Sequence, residues 1–198
     1  MNRLLPLLLV LGLAGCATRE LPPAFVYTLQ PLPDPAETAG NTGNLTLKLA
    51  PLRGTRPFAT TRMLYTEHGI DQNSFAFSRW SDSPTRMLQP LLVEAIHRSG
   101  LFKAVLPPGS ALRSDLSLEG TLLDFSLHLD GPQPRGVMEV RFILVDNRSR
   151  RALASRLFRS EVPASKADPE QAARALNGAV LEISRALVRW LEPLVESR

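Results

Sequence analysis

Cysteine is nearly absent: Cys16 is the only one in 198 residues. An intrachain disulfide is therefore excluded, and the folded part must be held by its core alone. The length permits this, since domains near 150 residues bury roughly 70% of their unfolded surface. Histidine is scarce too, with His68, His97 and His128 the full set. Glu94 and His97 have the i, i+3 spacing of di-metal carboxylate sites. The second copy and the further carboxylates those sites take from other helices are missing, so no metal is expected. The chain has no G-x-S-x-G elbow, no Walker A loop and no G-x-G-x-x-G fingerprint, and nothing else argues for an enzyme. No apolar run is long enough to cross a bilayer as a helix: residues 4–14 fall well short of the roughly 20 required. Strong charge is also lacking. The formal net charge is +4, and loss of Arg3 with a leader would lower it by one.

What the N-terminus does have is a short positive n-region, an aliphatic stretch from Leu4 to Leu11 and small residues leading to Cys16. That is the build of a secretory signal peptide. Its end, Leu13-Ala14-Gly15-Cys16, resembles the bacterial lipobox in all four positions. The resemblance implies cleavage before Cys16, diacylation of its thiol and acylation of the new amino terminus, with no other cofactor. Residues 1–15 are then the signal peptide, and nucleic acid is not an expected partner for the exported product. Two or more acyl chains anchor stably where one binds only marginally. Ala17, where an aspartate would favour retention in the inner membrane, points to the periplasmic face of the outer membrane.

Residues 16–44 read as the acylated cysteine and a tether. Pro22, Pro23, Pro31, Pro33 and Pro35 exclude helix, and residues 40–44 form a turn cluster. Phe25 to Leu29 has strand composition and suits a sheet edge. Residues 45–198 read as one domain. Leu45, Leu47 and Leu49 alternate as a strand. Arg62 to Thr66 and Ser74 to Ser78 flank a turn and predict a hairpin. Ser83-Pro84 opens a helix with a stripe of Met87, Leu88, Leu91, Leu92, Ala95 and Ile96. Pro90 predicts either a bend in that helix or a later start, and Gly100 its stop. From Asp115 to Asp130 the apolar parity switches: Leu116, Leu118 and Leu122 share one phase, and Leu123, Phe125, Leu127 and Leu129 the other. That predicts a β-bulge near Leu122-Leu123. Gly136 to Asp146 and Arg151 to Val162 complete an antiparallel meander. Asp168-Pro169 opens a last helix whose stripe runs from Ala172 to Leu194. The fold class expected is α+β: a two-layer domain with a mainly antiparallel sheet and two helices on one face.

Two surface features invite a partner. Arg148, Arg150 and Arg151 cluster at the meander's turn, while Arg53, Arg56 and Arg62 flank a loop. Anionic headgroups or an acidic protein surface would suit such clusters. Arg79-Trp80, just before the first helix, combines two residue types common at interface hot spots.

The lipobox, Tyr27-Thr28-Leu29, Arg79-Trp80 with Pro84 before a Leu-rich helix, Ser99-Gly100-Leu101-Phe102 at its end, and Asp146-x-x-Ser149-Arg150-Arg151 come in an order and spacing that resembles the ABC-type transport auxiliary lipoprotein family, which includes Pqi-type intermembrane transport lipoproteins. The resemblance covers about residues 25–193. It implies a non-enzymatic outer-membrane lipoprotein in a system pairing an ABC transporter with a lipid-binding MCE-domain protein. Contacts through Arg79, Trp80, Arg148, Arg150 and Arg151 would dock that partner, with a homo-oligomer among the arrangements that fit. A lipid-binding carrier and an outer-membrane assembly lipoprotein of the lipopolysaccharide-assembly type are the competing readings.

Overall fold

A computed structural model describes residues 23–32 and 43–196. The expected signal peptide, the lipobox-like motif and most of the proline-rich stretch lie outside the described residues. The architecture is α+β: a nine-stranded mixed sheet with two helices packed on one face.

The frame is a long antiparallel meander of β7 (Leu116–His128), β8 (Arg135–Asp146) and β9 (Arg151–Pro163). On β8, Met138, Val140, Phe142 and Leu144 all point inward and are fully buried. On β7 the register slips between Leu122 and Asp124, so Leu123 is the extra residue of a bulge. Leu116, Leu118 and Leu122 are buried before it and Phe125 and Leu127 after it. The bulge keeps one face apolar across the parity switch, as the sequence predicts.

The other edge of β7 is shared by three short strands, all parallel to it. β2 (Thr46–Leu49) pairs with its beginning, β3 (Arg53–Gly54) with its middle and β4 (Arg62–Thr66) with its end. A short 3-10 turn, Arg56–Ala59, links β3 to β4. The sheet thus forks. One branch adds β6 (Ala104–Leu106) outside β2. The other adds β5 (Asn73–Trp80) outside β4 and then β1 (Phe25–Tyr27), parallel to β5, as the edge. The hairpin of β4 and β5 is the predicted one, extended by a residue or two at the ends of β5. Beyond β1, Leu29 enters the core and the Gln30 amide bonds Asn177 Oδ1 at 2.7 Å. The chain is therefore fixed to the domain at β1 and through Gln30.

Helix α1 (Pro84–Arg98) runs unbroken through Pro90, so the regular part does not start later. Ser83 holds the N-cap position, but its side chain caps no amide. Instead its carbonyl accepts from Arg86 and Met87, and Asp82 pairs with Arg86 at 3.0 Å. Gly100, with φ 68°, closes the helix in the left-handed region that favours glycine. Helix α2 (Pro169–Glu196) crosses the inner face of the meander, burying Ala172, Leu176, Ala179, Ile183, Leu187 and Leu191. Asp168 Oδ1 accepts the Gln171 amide at 2.8 Å, a true N-cap. Asp168→Ala is expected to cost about 1 kcal/mol, a fall in Tm of about 2–4 °C by calorimetry.

Candidate functional site

Side-chain chemistry narrows what the molecule can do. Ser126, Asp124 and His128 lie together on β7, but the carboxylate sits in the middle. Ser126 Oγ donates to Asp124 Oδ1 at 2.6 Å and His128 Nε2 meets Oδ2 at 2.8 Å. The histidine meets the carboxylate and not the serine, so these contacts do not form a Ser-His-Asp relay. Glu94 is engaged by Arg98 rather than by His97. Glu67, His68 and Asp71 bring ligand atoms within 4.8 Å of one another in the β4–β5 loop. There Asp71 organises the loop, accepting the Thr66 hydroxyl at 2.7 Å and the His68 and Glu67 amides at 2.9 and 3.0 Å.

These bonds, the His68 amide first and the Thr66 hydroxyl next, hold the Asp71 carboxyl well below the usual carboxylate range. Asp115 is lowered likewise: Thr46 donates its hydroxyl and its amide to Oδ2, each at 2.7 Å. A depressed carboxyl stabilises the fold above its unfolded pKa, near 3.9, and that stability is lost as pH falls toward the folded value. Unfolding free energy is therefore expected to fall below about pH 4. An Asp71→Ala, Asp115→Ala protein should show a flatter acid limb in denaturant titrations.

The outer sheet face carries a chain of ion pairs. Arg159 bridges Glu139 at 2.7 Å and Glu161 at 2.9 Å. Arg135 bridges Glu161 at 2.8 Å and Asp130 at 3.0 Å. Arg159 holds the Glu161 carboxyl below its ordinary range, which keeps the chain charged into mild acid. This region is self-neutralised and offers little net charge to a partner.

Among the described residues, two cationic places that the sequence also marks are not neutralised in this way. The first is the β8–β9 turn, where Arg148, Arg150 and Arg151 are exposed. The turn is pinned. The Ser149 amide donates to Asp146 Oδ1 at 2.7 Å, and Asn147 Nδ2 donates to the Ser114 carbonyl and hydroxyl at 2.9 Å. Arg150 takes φ 57°. Among the described residues none of the three arginines has an ion-pair partner. The second place is the β1–β5–β4 branch. Val26, Arg79 and Arg62 are register partners in one row. Phe77, two residues before Arg79, is 48% exposed.

Of the predicted contact residues, Arg79, Arg148, Arg150 and Arg151 are exposed. Trp80 is corrected: it is only 1% exposed, with its ring 5.5 Å from Phe125. Side chains alternate along a strand, so an exposed Arg79 at the end of β5 turns Trp80 into the core. The arginines do not form one surface either. The turn lies beside Leu116, whereas β4 meets β7 only from Ser126. About ten residues of β7, or about 33 Å, separate these two registers. Sequence reading missed Val26 and Phe77 as neighbours of Arg79. The paired positions of a β4–β5 hairpin were a signal for Arg62, but the parallel docking of β1 left none.

Comparison with known proteins agrees with this picture. The chain is similar to the crystal structure of a DUF330 protein from Xanthomonas campestris, with TM-score 0.72 and 24% identity, covering 84% of this chain and 94% of that one. A hypothetical protein from Chlamydia trachomatis has the same fold, with TM-score 0.58 and 11% identity over 77% of this chain and 98% of that one. An uncharacterised protein of Bradyrhizobium diazoefficiens is 27% identical over 131 residues, 66% of this chain, and the match spans only 35% of that relative's length. No helix among the described residues is long and apolar enough to cross a membrane. The model of the ABC-type transport auxiliary lipoprotein component matches residues 27–188, from β1 to the last turns of α2. With that match running over nearly all of the forked sheet and both helices, the chain belongs to the ABC-type transport auxiliary lipoprotein component family.

Proposed function

We propose that the protein is a lipid-anchored component of an ABC/MCE-type intermembrane lipid transport system. It sits at the periplasmic face of the outer membrane and docks a periplasm-spanning MCE-domain protein, through which it serves an ABC transporter. The observation that carries this reading is the family match over nearly the whole folded part. The lipobox-like Leu13-Ala14-Gly15-Cys16 supports the anchor.

The pinned arginine turn, Arg148 to Arg151, is the docking surface this reading favours. It stands at the opposite end of β7 from the branch that β1 joins, and its cations are free to meet an acidic partner surface. A docking role is favoured over a carrier role by the space between sheet and helices, which Leu88, Leu92, Phe142 and Leu187 fill. A groove of about 610 Å³ lined by Pro51, Leu52, Gln89, Pro90, Pro107 and Pro108 lies on the outside of α1, not in that layer.

The test is capture of the MCE-domain protein by the acylated protein and its Arg148→Glu, Arg150→Glu, Arg151→Glu variant. Capture is expected to fall about tenfold or more, because like charges then face each other. Tm should not change. Undiminished capture would remove this surface from the account.

A further inference from the structure

The β1–β5–β4 branch exposes apolar and cationic groups side by side. Phe25 is 66% and Val26 53% exposed on the edge strand, and Phe77 is exposed on β5 beside it. Arg79 stands directly between Val26 and Arg62 in the register. Two arginines opposite each other across neighbouring strands repel. Among the described residues neither has a carboxylate partner. An anion brought to this row would relieve that repulsion.

Position in the chain says which anion. Phe25 follows Cys16 by nine residues, so a fully extended connection reaches only about 30 Å. β1 is thus the element held nearest the lipid anchor. We infer that the outer face of this branch, Val26 and Phe77 with Arg62 and Arg79, rests on the anionic phospholipid surface of the membrane that holds the anchor. The aromatic and aliphatic groups would enter the interfacial layer while the guanidinium groups meet phosphate. This orientation rests on the acylation of Cys16. It turns the Arg148–Arg151 end of the meander away from the bilayer, toward the periplasm.

Nitroxide accessibility in proteoliposomes tests it. The acylated protein, reconstituted in phosphatidylethanolamine and phosphatidylglycerol, carries one label at Phe77→Cys or, as the distal control, at Ser149→Cys. Acylation leaves the introduced thiol as the only free one. The Phe77 label should be relaxed by oxygen and shielded from a water-soluble nickel complex, and the Ser149 label the reverse. Adding Arg62→Gln and Arg79→Gln, or replacing the lipid by phosphatidylcholine, should raise nickel access at Phe77 severalfold. Roughly 5-fold weaker contact per arginine is the scale of one cation near an anionic surface. If the protein floats with the vesicles but the Phe77 label is as open to nickel as the Ser149 label, the orientation is wrong. Shielding at Phe77 that ignores lipid charge overturns the anionic recognition. A protein that does not float overturns the anchor and this orientation with it.

Discussion

Serine at position 16 is expected to strip the protein of its acyl chains and remove it from the outer membrane. The chemistry is direct. A lipobox thiol takes the diacylglyceryl group as a thioether, and serine offers only a hydroxyl in its place. Cleavage of the leader and acylation of the new amino terminus both depend on that first step. A single myristoyl-length chain gives a membrane binding constant of only about 10⁴ M⁻¹, and a second is needed for stable attachment. Losing every chain leaves the uncleaved leader, and the branch of Val26, Phe77, Arg62 and Arg79, whose contact is weak and salt-sensitive. In fractionation of cells washed at high salt, Cys16→Ser should carry no acyl modification and be missing from the outer-membrane fraction, recovered as an uncleaved precursor or degraded. Lipid-modified, membrane-bound Cys16→Ser would contradict the anchor outright.

Within the domain a large effect is expected from Gly136→Val. Gly136 stands on β8 where α2 crosses the sheet. A Cβ there would lie 2.8 Å from Ala175 Cβ and 2.9 Å from both Ala175 C and Leu176 N. These are groups of the helix backbone and its first side-chain atom, so no rotamer change relieves the contact. The helix must lift from the meander, opening the layer that Ala172, Ala179 and Leu176 close. Overpacking of this kind costs about 1–3 kcal/mol and occasionally more. Valine, with two further methyls, belongs at the upper end, near 3 kcal/mol, or a Tm lowered by about 6–12 °C. Gly109→Ala is the control. A Cβ at Gly109 meets nothing within 4 Å, so that change should be neutral or slightly stabilising. Equal losses at the two sites in chemical denaturation would show that α2 is not seated as described.

These two positions differ in how far the sequence revealed them. The helices and the meander were legible because their signals are local. Asp168-Pro169 and Gly100 mark helix ends by backbone chemistry alone. The parity switch in β7 required a bulge whatever strands lay beside it, and Leu123 is the extra residue. The fork of the sheet was not legible. β1 with β5, β2 with β7 and β4 with β7 are parallel pairs between distant segments, and no turn residue fixes their register. Gly136 is unremarkable in the sequence; only the crossing of α2 shows that the position has no room for a side chain.

The β5 strand shows the same limit from the other side. Phe75 and Phe77 alternate with Ser74, Ala76 and Ser78, so apolar pattern alone would turn the phenylalanines inward. The structure buries Ser78 and Trp80 and leaves Phe77 exposed. Trp80 fills the space against Phe125 before α1 begins, and that large side chain sets the phase of the strand's end. The arginine turn was legible as a cluster, because its residues are sequential. Its separation from Arg79 was not, since that depends on where β4 and β8 meet β7.

The proposed role of this family member joins a membrane anchor to a lipid-transport partner. Its most direct test is affinity isolation of the acylated protein from its own cells in mild detergent, with the co-isolated proteins identified by mass spectrometry. An MCE-domain protein should be the main companion, retained with the wild-type chain and lost with Arg148→Glu, Arg150→Glu, Arg151→Glu. Isolation with a β-barrel and no MCE-domain protein would contradict the account.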